Sequence, residues 1–163
     1  MKALLVIAVV GCIPPAVVPV DWRDKPVKRV SAVTVKNKVP FTIELLASMA
    51  KDPNPSEHVV FGPAGKGVAE APTIFIDDAS PETVEAFAAG LPEDGTKIIQ
   101  RATVPTGWWV ALEKPSHVIK ADGTTSFSYW IHAQFGALTC EGFAYGYKDQ
   151  LLRVAEMCVS LKP

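Results

Sequence analysis

Thr124-Thr-Ser-Phe-Ser-Tyr-Trp-Ile-His-Ala-Gln-Phe135 alternates apolar and polar positions almost without a break. Phe127, Tyr129, Ile131, Ala133 and Phe135 fall on one side; Ser126, Ser128, Trp130, His132 and Gln134 fall on the other. Period two over this length is the pattern of a strand with one face in a core. Asp122-Gly123 just ahead of it is a strong hairpin signal, which makes residues 117–121 the partner strand. A one-residue slip would exchange the two faces completely. The pattern therefore predicts that Trp130 and His132 lie away from the core, where only a loop, a partner or water can cover them.

Working outward, residues 138–145 read as a further strand carrying Cys140. Residues 97–104 and 108–113 flank the turn Pro105-Thr106-Gly107. Upstream, residues 27–35 are rich in β-branched side chains. Val39, Phe41, Ile43 and Leu45 alternate with Pro40, Thr42 and Glu44, although Phe41, Leu45 and Met49 also fit a helix. Residues 57–61 and 73–76 are short strands. Ser80 is a good N-cap, and Pro81 falls at the first helical position, where its missing N–H costs nothing. Val84, Phe87, Ala88 and Leu91 then share a helical face, and Gly90 stops the helix. A last helix spans about 148–161, with Leu151, Ala155 and Cys158 on its buried face. This order predicts an α+β fold: an antiparallel sheet with helices packed on one face.

The chain's other end supplies an address. Met1-Lys2 is a minimal positive start, and Ala3 to Val10 is an unbroken apolar run. Val9-Val10-Gly11-Cys12 resembles the lipobox of bacterial lipoproteins, in which the cysteine is lipidated and becomes the mature N-terminus. The alternatives are an ordinary export signal or a buried first strand ending at Gly11. A membrane-spanning helix is disfavoured by the run's length and by Pro14, Pro15 and Pro19. Pro14, Pro15, Pro19 and Pro26 keep the next segment extended. The expected organisation is a signal peptide at 1–11, a lipidated N-terminus and Pro-rich tether at 12–28, and one domain at 29–163.

Of the chain's three cysteines, taking Cys12 as the lipid acceptor leaves Cys140 and Cys158 as a pair. In an oxidising compartment that pair reads as a disulfide, clamping the last helix onto the sheet. Closing a loop of about 17 residues stabilises a fold by roughly 3 kcal/mol on the chain-entropy model. The alternative is two reduced, buried thiols. The net charge of −1 comes with no run or face of lysine and arginine; nucleic-acid binding has no electrostatic footprint.

Thr34 to Leu45 as an opening strand pair, Gly107-Trp-Trp-Val110, Leu138-Thr-Cys-Glu-Gly142 and Ala155-Glu-Met-Cys-Val-Ser-Leu-Lys162 together resemble small exported bacterial lipoproteins. In these a late strand carrying a cysteine precedes a C-terminal helix carrying its partner. The layout is similar to the PsbP-like and DcrB-like α+β type over roughly residues 36–162. The resemblance implies a binding or accessory factor, and it transfers no active-site residue.

Candidate chemistry is sparse. His58, His117 and His132 sit on different strands, and none is spaced for a metal. No GxSxG elbow is present, and Cys140 has a disulfide partner instead of a histidine. Gly62-Pro-Ala-Gly-Lys-Gly67 is too short for a P-loop and has Gly67 where the hydroxyl belongs. Asp77-Asp78 fit helix N-terminal acids better than an acid–base pair. Trp108 and Trp109 point to opposite faces of a strand; one belongs to the core, and the other could join Trp130 and Tyr145 or Tyr147 in an exposed aromatic patch, so that Trp130, His132, Trp108 and Trp109 are the candidate binding residues. The expectation is a periplasm-facing membrane lipoprotein, in the outer membrane if the host is Gram-negative. It would be a non-catalytic accessory or binding domain without cofactor or metal. The membrane through the lipid, and an envelope protein or small apolar ligand, would be its partners. An immunity or inhibitor protein against an envelope-acting toxin is the alternative, and a small hydrolase the third.

Overall fold

The computed structural model describes residues 21–54, 57–64, 71–119 and 123–163, with backbone alone at 117–119. The readings on the leader, Cys12, residues 12–20, Gly65–Gly67, Asp122 and the His117 side chain lie outside these residues. Among the described residues nine strands and two helices follow in order. β1 (Val27–Val33) and β2 (Pro40–Leu46) form a two-stranded sheet. β3 (Met49–Lys51), β4 (Val59–Pro63), β5 (Thr73–Asp78), β6 (Lys97–Val104), β7 (Gly107–Ile119), β8 (Thr125–Phe135) and β9 (Leu138–Tyr145) build a second sheet in the order β3-β4-β5-β9-β8-β7-β6. Every neighbouring pair is antiparallel. α1 (Val84–Ala89) lies between β5 and β6, and α2 (Leu151–Val159) follows β9 through a 3-10 turn at Lys148–Gln150.

The hairpins follow local chemistry. Pro105-Thr106 joins β6 to β7, with Val104 paired to Gly107. Gly136-Ala137 joins β8 to β9, and Gly136 has φ +61°, a conformation that favours glycine.

The alternation in β8 sorts the large sheet into two faces as expected. Ile131, Ala133 and Phe135 are buried on the inner face with Trp109 and Ala111 of β7, Cys140 of β9, and Ile74 and Ile76 of β5. α2 packs there against β7, β8 and β9, and β2 packs on α2 in turn. Phe41, Ile43 and Leu45 thereby join the same core. The C-terminal strand bridge, Thr42 to Lys162, and the Ser160 hydroxyl accepting from the Glu44 N–H at 2.7 Å tie β2 to the end of α2. Cys140 and Cys158 form the disulfide, with Cα atoms 5.6 Å apart, within bridging range. At the rim of this face, buried Glu113 pairs with Lys97 at 2.8 Å and Lys148 at 3.3 Å.

Three expectations need correction. The helices do not share a face. α1 packs on the outer face, where Val84, Phe87 and Leu91 meet a second apolar cluster of Trp108, Val110 and Leu112. The reason is that α2 and the β1–β2 sheet already fill the inner face, while residues 108–112 are apolar on both sides. The cap of α1 is Thr83, whose hydroxyl accepts from the Ala86 N–H at 3.2 Å, and not Ser80. Buried Gln134 takes the segment before it, accepting from the Glu82 N–H and donating to the Ser80 carbonyl, both through bonds of about 2.8–2.9 Å. Residues 21–28 are not tether. Trp22 is fully buried, its N–H donates to Gln150 Oε1 at 2.8 Å, and its ring meets Tyr147 edge-on.

Candidate functional site

The outer face of the large sheet is covered unevenly. On β7 and β8, α1 seals it: the Phe87 ring stacks on His132 at 4.3 Å and lies 5.4 Å from Trp108. The Trp108 indole N–H donates to the Glu82 carbonyl at 2.8 Å. Over β4, β5 and β9 the same face carries, among the described residues, a cavity of about 250 Å³ lined by His58, Phe75, Asp77, Thr139, Glu141 and Phe143.

Register explains why these side chains meet. Val59 pairs with Ile76, so His58 comes opposite Asp77; Asp77 pairs with Thr139 and Phe75 with Glu141. All therefore rise from one face. They sort into two rows. The aromatic row runs His58–Phe75–Phe143–Trp130, with successive ring centroids 6.2, 5.5 and 6.2 Å apart. The polar row runs from His58 and Asp77 through Thr139 to Glu141 and His132. His58 Nδ1 lies 2.6 Å from Asp77 Oδ2, and His132 Nδ1 lies 3.0 Å from Glu141 Oε1. An ionised carboxylate only accepts, so each imidazole donates to its partner through Nδ1.

Of the residues singled out by sequence, Trp130 is half-buried, stacked on Phe143 and packed beside Leu112 of the second cluster. His132 is largely covered by Phe87 and Trp108. Trp108 and Trp109 are both buried, on opposite faces, so neither offers an exposed ring. Asp78 does not serve a helix N-terminus either. It binds the Asn37 side chain, and its carboxyl is held below the usual range although burial opposes this; the Thr34 hydroxyl and the Asn37 donors win.

Sequence reasoning did not single out Phe75, Glu141 or Phe143, and it weighed His58 and Asp77 only for other roles. His58 against Asp77 was accessible in principle, since each borders the apolar run of one of two consecutive, paired strands. The meeting of β5 with β9, some 65 residues apart in sequence, leaves no local trace.

Among the described residues no three His, Cys, Asp or Glu converge to hold a metal, and no helix is long and apolar enough to cross a membrane. Compared with known proteins, the chain matches no family model and no curated sequence.

Proposed function

We propose that this chain is an exported, lipid-anchored accessory domain that binds its partner or ligand on the open half of the outer sheet face. The observation that carries the reading is the β4–β5–β9 groove: among the described residues, half-buried phenyl rings and polar groups line a cavity on this face. Concave sites with apolar walls and a few convergent polar groups are the usual form of a binding site. The lipobox-like Val9-Val10-Gly11-Cys12 supports the address, and the disulfide fits an oxidising compartment. The similarity of layout to the PsbP-like and DcrB-like type points the same way.

The small-hydrolase reading has one observation in its favour, the His58–Asp77 contact, since a carboxylate-oriented histidine is the form of a general base. It lacks an activated nucleophile among the lining residues. Two experiments separate the readings. Fatty-acid analogue labelling of cells is expected to mark the wild type and not Cys12→Ala; equal label in both removes the anchor. A photo-crosslinking amino acid at position 75 or 143 is expected to give an adduct in the cell envelope that the same residue at exposed Leu152, on α2, does not. Indistinguishable patterns at the three positions overturn the binding-face assignment.

A further inference from the structure

The chemistry of the groove names the group it takes. Asp77 and Glu141 sit diagonally across β5–β9, a spacing of about 7–8 Å. Among the described residues, the only basic groups paired with them are His58 and His132. With each imidazole turned onto its own carboxylate, the polar row presents carboxylate oxygens to the cleft. Thr139 alone has a hydroxyl that can donate, and that hydroxyl is 3.5 Å from the Asp77 carbonyl. The opposite wall is formed by the rings of Phe75 and Phe143. An acceptor-rich cleft with aromatic walls is complementary to a cation that carries several N–H donors. A quaternary ammonium would leave the acceptors unpaired.

The cavity, about 250 Å³, is smaller than the roughly 300–1,000 Å³ of sites that engulf a whole small ligand. It holds a side-chain-sized head group, and the remainder of the occupant must lie on the surrounding sheet surface. We propose that the groove receives a basic side chain, arginine before lysine, presented by a partner polypeptide. A planar guanidinium can pair with a carboxylate through two N–H groups and stack on a phenyl ring at once, which an ammonium cannot. This proposal rests on the binding-face reading above and gives it a ligand chemistry.

The test is a titration of the full-length chain followed by amide NMR at Thr139, Glu141 and Phe143. Doubly blocked arginine is expected to shift these resonances saturably. Blocked citrulline, which keeps the shape and removes the charge, is expected to bind at least about tenfold more weakly, as is usual when a charge-assisted hydrogen bond is lost. Asp77→Asn and Glu141→Gln are each expected to weaken arginine binding about tenfold by the same argument, with the spectrum elsewhere unchanged. Equal binding of arginine and citrulline, no saturable shift, or unweakened variants would overturn the proposal. An arginine-centred peptide is expected to bind more tightly than butylguanidine. Equal affinities would overturn the polypeptide source in favour of a small free cation. Envelope crosslinks at positions 75 and 143 without arginine binding would sink the ligand chemistry alone, whereas loss of those crosslinks sinks the binding face.

Discussion

Single residues in this fold are constrained most where backbone and side chain approach closely. Gly142 of β9 lies directly under α2: a Cβ there would meet Val154 Cγ1 at 2.2 Å and Ile74 Cδ1 at 2.9 Å. The absence of a side chain is what lets the helix settle on the sheet at disulfide distance. Gly142→Ala is therefore expected to lower stability by about 2–3 kcal/mol through overpacking, read as a drop in melting temperature. Combining it with Val154→Ala makes room for the methyl group, and the double variant is expected to be less destabilised than the two single losses added together. Additive losses would show that the contact is not the cause. Trp22 makes the complementary case. Its burial was hidden in the sequence because Pro26 and the charges around it, Asp21, Arg23, Asp24 and Lys25, have the composition of a linker. A single large ring packed on Tyr147, with the Trp22 backbone N–H bonded to Gln150, was enough to dock that stretch.

Elements differ in how plainly the sequence announces them. β8 and β9 were legible almost to the residue, because strict alternation and the glycine-containing turns around them leave one register that buries the apolar set. The last helix and its disulfide were legible too, from a helical apolar stripe and a lone pair of cysteines. The side on which α1 packs was not. Its stripe says that it must bury Phe87 against something, but helical periodicity is silent on which face of a sheet receives it. The signal lay in β7, where Trp108 to Leu112 is apolar without alternation, as in strands covered on both faces. The groove was illegible for a related reason: its aromatic and polar rows are assembled across β4, β5 and β9, and long-range strand pairing is not written in local pattern. The disulfide carries the prediction at this scale. It closes a loop with a sequence separation of 18, so replacing both cysteines by serine is expected to cost about 3 kcal/mol. Hydrogen exchange should show the loss first in α2, since the cysteines tie that helix to β9. Exchange that rises uniformly through both sheets would argue that the bond acts only through the unfolded chain.

At the scale of the whole molecule, the dependence of stability on pH follows from the charge cluster at the rim of the inner face. Lys97 holds the Glu113 carboxyl below the usual carboxylate range; burial opposes it, and Lys148 adds to the effect. The same contact raises the Lys97 ammonium. A lowered carboxyl contributes stability above its unfolded value, and that contribution disappears as pH falls through the folded value. A raised ammonium contributes at and below its unfolded value and loses this as pH rises through the folded one. Melting temperature is thus expected to be flat around neutrality and to fall on the acid side below the ordinary carboxylate range. Glu113→Gln should make that acid limb shallower. At neutral pH it should cost about 1–2 kcal/mol, a modest figure because both lysines remain largely in water. An acid limb identical to that of the wild type would place the pH sensitivity elsewhere.

The position of β9 in the large sheet has a consequence for the order in which the molecule can come into being. It is the last strand made, yet it stands fourth of seven, with β3-β4-β5 on one side and β8-β7-β6 on the other. A chain delivered N-terminus first holds two separate meanders with no permanent partner for the β5 edge until residue 138 has arrived. The β5 edge is therefore exposed for most of the chain's delivery, and unpaired edges invite association with other chains. Only after the central strand is inserted does Cys140 occupy its place, and only after α2 follows can Cys158 reach it. Oxidation thus acts as a terminal latch, recording that assembly is complete.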